Sequence, residues 1–228
     1  MCSSDLMLML PEPLGACLQA QGVFPKDVGA AAPNSMRDTT KRRVVYLSPS
    51  GKLLTQAKAE ELAGLEELVL IAGRYEGIDE RIVERYVDEE ISIGDYVLSS
   101  GEVAALVVID AVYRLIDGII SGESLEEESF SGPWLEYPQY TRPEIYANLR
   151  VPEVLLSGHH ENIRKWRLEK RIQKTLTNRP DLLKKALESG LLSKEEITIL
   201  TDLYTPIAGD KGERDAGNQG DRSYSDED

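Results

Sequence analysis

Between residues 43 and 116, short apolar segments alternate regularly with segments of helical character. The apolar segments span residues 43–48, 68–73 and 91–99. The helical segments span residues 55–64, 78–87 and 101–116, and a short helix is also expected around Leu14–Ala20. Short apolar runs between helices are typical of strands that are buried on both faces. We therefore predict an α/β fold whose parallel sheet is covered by helices on both faces.

The alternation stops at Asp117, and the pattern then changes twice. Residues 117–138 carry many acids and predict a linker. A helical region follows, in which Pro180 is placed to begin a helix and Gly190 to end it.

The end of the chain has two further features. Ser193 and Glu196 have the spacing of a capping box, which predicts a final helix. Residues 209–228 are rich in glycine and charge and nearly free of aliphatic side chains. We expect this segment to be disordered, because it cannot bury enough apolar surface to fold.

The composition excludes several classes of protein. The two cysteines, Cys2 and Cys17, are too few for a disulfide framework, and the adjacent His159 and His160 are poorly spaced for zinc. No apolar run approaches the roughly 20 residues of a membrane helix. The first residues lack the basic region of a secretory signal. A cytoplasmic protein with no structural metal, disulfide or membrane anchor is expected.

The charge is segregated along the chain. The net charge is −14, which argues against a general nucleic-acid binder and against DNA as a partner. Residues 161–185, however, contain nine basic residues and only three acidic ones, whereas residues 209–228 contain seven acids and three bases. The total therefore conceals a basic surface in the helical region.

Glycine-containing turns follow each predicted strand, at residues 48–51, 73–77 and 99–102. The carboxyl ends of parallel strands are where open α/β sheets bind ligands. None of these turns matches a dinucleotide or phosphate-binding loop. Glycines also end strands without any ligand, so these turns alone name no substrate.

Four long motifs carry a resemblance to a known family. They are GRYEGIDER (73–81), SIGDYVLSSGE (92–102), EYPQYTRPE (136–144) and VPEVLLSGHHENIRKWR (151–167). In sequence and order they resemble the bacterial tRNA (guanine-N1)-methyltransferases, over residues 7–183. The resemblance implies methyl transfer from S-adenosylmethionine to guanosine 37 of tRNA, beside the anticodon.

The resemblance also implies an architecture. The family has a trefoil-knotted SPOUT-type α/β domain, a linker and a small helical domain that binds tRNA, and it forms homodimers. For this chain it implies a methyltransferase domain over 1–120, a linker over 121–138, a helical domain over 139–208 and a tail over 209–228.

The knot loops of the family hold S-adenosylmethionine. The matching positions are Leu47, Pro49, Gly73, Tyr75, Glu76, Gly77, Ile93, Tyr96, Leu98, Ser100 and Gly101. Ser100 stands where the family usually has glycine, which would crowd the methionine end of the donor. The donor lacks phosphate, which agrees with the absence of a phosphate loop.

The resemblance assigns the chemistry to three residues. Glu128 stands at the position of the family's aspartate, which removes the proton from guanine N1. Arg114 matches the arginine that stabilises charge on O6, and Glu76 is implied as an acidic helper, with Mg²⁺ as an accompanying ion. Without the resemblance, Arg114 is an ordinary surface arginine and Glu128 a solvated acid.

The resemblance and the basic region together predict a tRNA-binding surface. Its predicted residues are Ser129, His160, Arg164, Arg167, Arg171 and Lys174. Four of them fall on one face of a helix and can bind phosphates. The alternative is a solvated helix face, and Trp166 is expected to pack rather than to stack on a base.

One departure from the family concerns the front of the chain. Residues 7–14 resemble family sequence that normally follows a glycine-rich loop and a first strand and helix. We therefore expect a knotted sheet that lacks its N-terminal strand. The alternatives are a catalytically impaired remnant that still binds tRNA, and a knotted methyltransferase with a different target.

Overall fold

The computed structural model describes residues 8–26, 38–74, 76–120 and 128–204. The chain divides into two compact units, Met1–Gly132 and Pro133–Asp228. The division falls inside the predicted linker. The predictions for the front of the chain before residue 8, for 121–127 and for the tail 209–228 concern parts outside the described residues.

The N-terminal unit is an α/β structure. Its described elements are α1 (Pro11–Ala20), β1 (Arg42–Leu53), α2 (Gln56–Ala63), β2 (Glu67–Ala72), α3 (Glu80–Tyr86), β3 (Glu89–Ser92) and α4 (Gly101–Tyr113). The three strands form one parallel sheet in the order β2-β1-β3. The predicted parallel sheet with intervening helices is confirmed.

The central strand separates two hydrophobic cores. Neighbouring residues on a strand point to opposite faces, and Val44 and Val45 are both buried, one in each core. Val44 packs with residues of α1 and α3, such as Leu18 and Ile82. Val45 packs with residues of α2 and α4, such as Leu62. Helices on both faces explain why these strands are apolar throughout.

The third strand is shorter than predicted. The pattern favoured a strand over 91–99, but β3 ends at Ser92. The Ser92 hydroxyl bonds to the backbone of Gly94, and Gly94 has a φ of 151° that favours glycine. This turn directs the following residues away from the sheet.

The C-terminal unit contains a short hairpin and a group of helices. Its described elements are β4 (Ile145–Tyr146), β5 (Leu149–Arg150), α5 (Glu153–Leu156), α6 (His160–Asn178), α7 (Pro180–Ser189) and α8 (Lys194–Tyr204). The predicted start at Pro180 and end at Gly190, which has a φ of 66°, are confirmed. The capping box is also confirmed, since Ser193 and Glu196 exchange side-chain to backbone hydrogen bonds.

The core of this unit forms around Trp134, which is buried with Ile172, Leu183 and Leu200. The Trp134 indole donates a hydrogen bond to the Glu196 carboxylate. Burial alone would raise the pKa of Glu196, but the hydrogen bonds from Trp134 and Ser193 lower it below its ordinary value. Trp134 therefore ties the start of the unit to its last described helix.

A buried threonine makes a second connection. The Thr175 side chain is fully buried. Its hydroxyl accepts a hydrogen bond from the Leu135 backbone N–H at 2.8 Å and donates one to the Arg171 carbonyl at 2.8 Å.

Among the described residues, no helix is long and apolar enough to cross a membrane.

We predict that Thr175→Val destabilises the C-terminal unit by about 1–3 kcal/mol, because it leaves the Leu135 N–H without its acceptor. Thr177→Val is the matched control, since Thr177 is an exposed residue of the same helix and should change stability by less than about 0.5 kcal/mol. Both tryptophans lie in this unit, so urea unfolding followed by their fluorescence reports on it directly. Equal effects of the two substitutions would refute the prediction.

Candidate active site

A cavity of about 290 Å³ lies at the carboxyl ends of β2 and β3, next to the middle of β1. Ten of the predicted donor-binding residues line it, and they come from β1 and from the loops that follow β2 and β3. These are Leu47, Pro49, Gly73, Glu76, Gly77, Ile93, Tyr96, Leu98, Ser100 and Gly101. The eleventh, Tyr75, lies outside the described residues.

The loops meet through a direct backbone contact. The Gly101 N–H donates a hydrogen bond to the Gly73 carbonyl at 2.9 Å. A Cβ atom on Gly101 would lie 2.7 Å from the Gly73 nitrogen, closer than real Cβ contacts allow. Only glycine lets the start of α4 approach the loop after β2 this closely. The contact holds two walls of the cavity together.

Tyr46 also lines the cavity, and the sequence analysis did not identify it. A Cβ atom on Gly73 would lie 3.1 Å from the Tyr46 hydroxyl oxygen, so the ring packs directly against the loop after β2. Burial raises the pKa of this hydroxyl, and the Glu90 carboxylate adds to the effect. Tyr46 belongs to β1 and directly precedes Leu47. An apolar strand pattern predicts a buried side chain at this position but does not predict contact with the loop after β2.

An ion pair lies at the edge of the cavity. The Arg74 Nε atom donates to the Glu102 carboxylate at 2.7 Å. Hydrogen bonds from the Ser100 hydroxyl and from Arg74 lower the pKa of Glu102 to about 2. Ser100, which departs from the family pattern, is thus bonded to Glu102 of the same helix terminus.

Arg114 and Glu128 lie together elsewhere in the N-terminal unit and are not among the residues that line the cavity. The Arg114 Nη2 atom donates to the Glu128 Oε1 atom at 2.7 Å. Both side chains are about one-third exposed, at 34% and 32%. The hydrogen bond to Glu128 raises the pKa of Arg114. The pair keeps a cation and an anion in contact at the end of α4.

A tight turn positions the Glu128 backbone. The Ser131 N–H and hydroxyl both donate to the Glu128 carbonyl, at 3.3 Å and 2.8 Å. Phe130, within this turn, has a φ of 74°, which is uncommon for a residue other than glycine. Ser129 lies in the same turn. Ser131 is not among the residues predicted from the sequence, because a serine in a polar segment carries no distinctive signal.

The predicted basic residues of α6 have different surroundings. Arg164 is bound to the carboxylates of Glu161 and Glu195, and these bonds raise its pKa. The Arg167 guanidinium lies over the Tyr137 ring, with its carbon 4.6 Å from the ring centre.

Two further predicted positions lie on the same helix, and one begins it. The Arg171 Nε atom donates to the Leu135 carbonyl at 3.3 Å. Lys174 is exposed, as is His160, the first residue of α6. Three of the predicted phosphate-binding arginines are therefore engaged within the C-terminal unit.

The described residues contain no group of three or more histidine, cysteine, aspartate or glutamate side chains that could hold a metal ion. Glu76 lines the cavity without such companions. Mg²⁺ is often held by only one or two carboxylates together with substrate and water, so Glu76 is the acidic side chain of the cavity that could contact it, and the ion stays a prediction of the resemblance.

Comparison with known proteins identifies the family. The family model described as tRNA (Guanine-1)-methyltransferase TrmD matches residues 15–185. This span covers most of the N-terminal unit, about half of the C-terminal unit and every residue of the candidate site.

Curated relatives agree with this match. The chain is 58% identical to a tRNA (guanine-N(1)-)-methyltransferase of Treponema denticola, over 86% of this chain and 74% of the relative. It is 53% identical to the protein of that name from Treponema pallidum and 50% identical to one from Chloroflexus aggregans, in each case over 86% of this chain and 72% of the relative. The chain therefore belongs to the tRNA (guanine-1)-methyltransferase family.

Proposed function

We propose that this protein transfers a methyl group from S-adenosylmethionine to N1 of guanosine 37 in tRNA. The convergence of ten predicted donor-binding residues on one cavity carries the proposal. These residues are dispersed over more than fifty positions of sequence. Their meeting at the strand ends is what a ligand site of an open α/β sheet requires.

The cavity has the character that the donor needs. S-adenosylmethionine supplies an electrophilic methyl group on a positively charged sulfur and carries no phosphate. The loops present backbone groups close to the cavity, because Gly73, Gly77 and Gly101 have no side chains. Such backbone groups can hydrogen-bond the edge of an adenine ring, while Leu47 and Ile93 pack against apolar parts of the donor.

Glu128 acts as the general base. Guanine N1 carries a proton and becomes nucleophilic as that proton leaves. A carboxylate has two oxygens, so Glu128 can bind Arg114 with one and accept the N1 proton with the other. Arg114 stabilises the negative charge that develops on guanine O6, because a guanidinium has five N–H donors and need not leave Glu128 to make this contact.

The tRNA is bound in part by the basic surface of the C-terminal unit. Lys174 and His160 are exposed on α6, and Arg164 and Arg167 lie between them in sequence. Phosphate contacts from such side chains fix the register of an RNA without reading its sequence. Ser129 contacts the tRNA from the turn next to the general base. Arg171 positions the segment before α6, because its Nε atom donates a hydrogen bond to the Leu135 carbonyl.

The protein forms a homodimer through α4. Apolar side chains that are 44–66% exposed lie on one side of this helix, namely Val103, Leu106, Val107, Ile109 and Tyr113. An exposed apolar patch formed by several neighbouring side chains is typical of a protein–protein interface.

The proposal also includes the family's knotted backbone and a cytoplasmic location. Both follow from membership of the family and not from a contact in the structure.

The direct test is methyl transfer to unmodified tRNA that carries guanosine 37. Mass-spectrometric mapping should locate N1-methylguanosine at that position. A methyl group on another nucleotide would identify a different target. Binding of tRNA without binding of S-adenosylmethionine would instead identify a tRNA-binding protein without catalysis.

We predict that Gly101→Ala weakens S-adenosylmethionine binding at least tenfold. The added Cβ would push the start of α4 away from Gly73, and such overpacking costs about 1–3 kcal/mol. Gly132→Ala is the matched control, because no atom lies within 4 Å of a Cβ built there. Isothermal titration calorimetry measures the affinities, and a donor affinity unchanged in Gly101→Ala would contradict the cavity assignment.

We predict that Glu128→Gln lowers kcat about 100- to 10,000-fold, because the amide cannot accept the N1 proton. Donor affinity should stay unchanged, since Glu128 does not line the cavity. Asp117→Asn removes an exposed acid from the same polar segment and should leave kcat near wild type. Single-turnover methyl transfer gives the rates, and normal turnover by Glu128→Gln would refute the base assignment.

We predict that Leu106→Glu converts the dimer to a monomer, because it places an unpaired charge in the apolar interface. Leu187→Glu changes a similarly exposed leucine of the C-terminal unit (58%, against 66% for Leu106) and should leave the dimer intact. Size-exclusion chromatography with light scattering distinguishes the two states. A monomeric wild type, or a dimeric Leu106→Glu variant, would contradict the proposed interface.

A further inference from the structure

The C-terminal unit contains a second cavity, separate from the one at the strand ends. Its volume is about 590 Å³, within the range of about 300–1,000 Å³ that small-molecule sites occupy. It is formed by the segment 137–144, by α5 and by the first turns of α6. None of the residues assigned to the donor or to the methyl transfer lines it.

Aromatic rings in fixed positions form part of its wall. The Tyr140 ring packs against the Trp166 ring of α6, with ring centres 6.2 Å apart and planes inclined at 56°. Tyr140 is nevertheless 48% exposed, so its ring contacts Trp166 and remains accessible to a ligand. The Tyr137 ring lies deeper and carries the Arg167 guanidinium over its face at 4.6 Å. A flat ligand can therefore stack here without first ordering these side chains.

The remaining wall combines apolar and polar groups. Val151, Leu155 and Ile163 provide the apolar part. Thr141 and Arg142 contribute a hydroxyl and a guanidinium next to Tyr140 in sequence.

The acidic wall residue is neutralised by its neighbour. The Glu144 carboxylate accepts a hydrogen bond from the Arg150 guanidinium of the hairpin at 2.8 Å. With this acid paired, the charge that the cavity presents to a ligand is positive. It favours a flat group that carries negative charge.

The cavity also adjoins the basic helix. Ile163 and Arg167 of α6 line it, and the same helix carries Lys165, Lys170 and Lys174. Phosphates attracted to this helix would bring the rest of their nucleotides to the mouth of the cavity. Unstacked bases of RNA are bound in this way, by stacking on tyrosine rings and on arginine planes.

We infer that this cavity holds one unstacked nucleotide of the tRNA, distinct from the guanosine that is methylated, with its base stacked on Tyr140. The inference rests on the proposed function for the identity of the RNA. Arg142 and Arg167 contact the phosphate of the bound nucleotide. Trp166 is a positioning residue, since it acts by holding Tyr140.

The test compares Tyr140→Ala, Tyr140→Phe and Tyr146→Ala with the wild type, using unmodified tRNA that carries guanosine 37. Loss of one base–aromatic stack should raise the Kd about tenfold in Tyr140→Ala. Tyr140→Phe keeps the ring and should bind like wild type. Tyr146→Ala is the matched control, because Tyr146 is 74% exposed on the hairpin and does not line the cavity.

Two further readouts separate stacking from other causes. The slope of log Kd against log salt should stay unchanged in Tyr140→Ala, because no phosphate contact is removed. Lys174→Ala, in contrast, should reduce this slope by about one. With saturating tRNA, kcat of Tyr140→Ala should equal that of wild type while KM rises, and its affinity for S-adenosylmethionine should not change.

The outcomes distinguish this inference from the proposed function. If wild type methylates the tRNA and Tyr140→Ala binds it as tightly, the nucleotide cavity is wrong and the proposed function stands. If the Kd depends on Tyr140 but no methyl group is transferred, the cavity stands and the proposed reaction is wrong. If wild type does not bind tRNA, both are wrong.

Discussion

The parallel pairing of β1 with both of its neighbours is the constraint on which the N-terminal unit depends. Val45 lies opposite Leu70 of β2 and opposite Glu89 of β3. Since β1 is central, its side chains belong to both cores, and helices must cover both faces of the sheet. Because the three strands run in the same direction, the loops that follow β2 and β3 lie at one edge of the sheet, where they meet the middle of β1.

Close backbone contact then shapes the cavity at this edge. Gly101 touches the loop after β2, and Gly51 touches the backbone of β3, in both cases at distances that leave no room for a Cβ atom. Glycines thus bring main chain close to the cavity, whose wall also carries large side chains such as Tyr46 and Tyr96. The charged pair of Arg114 and Glu128 does not line this cavity. The position of Glu128 depends instead on the turn that Ser131 stabilises. The cavity proposed for the donor and the pair proposed for proton removal thus depend on separate local structures, which can be altered independently.

The sequence predicted the elements of the fold more closely than the surroundings of individual side chains. Periodicity and apolar runs placed the strands and helices, and the proline, glycine and capping-box signals of the C-terminal helices were confirmed. The strand predicted over 91–99 was too long, because the turn at Gly94 ends it and a local pattern does not record that conformation. The basic face of α6 was predicted from spacing alone, yet Arg164 is bound to Glu195, thirty-one residues away. No periodicity within one helix can reveal a partner on another.

The amino-acid sequence by itself determined the parallel α/β character, the start and end of α7, the start of α8 and, through four long motifs, the family. These properties depend on local preferences and on residues close together in the chain. The tertiary structure decided which residues share a cavity, that Tyr46 packs against the loop after β2, and that Trp134 packs in the core of the C-terminal unit. Such contacts join residues distant in sequence, and their distances follow from packing, which no single segment of the chain specifies.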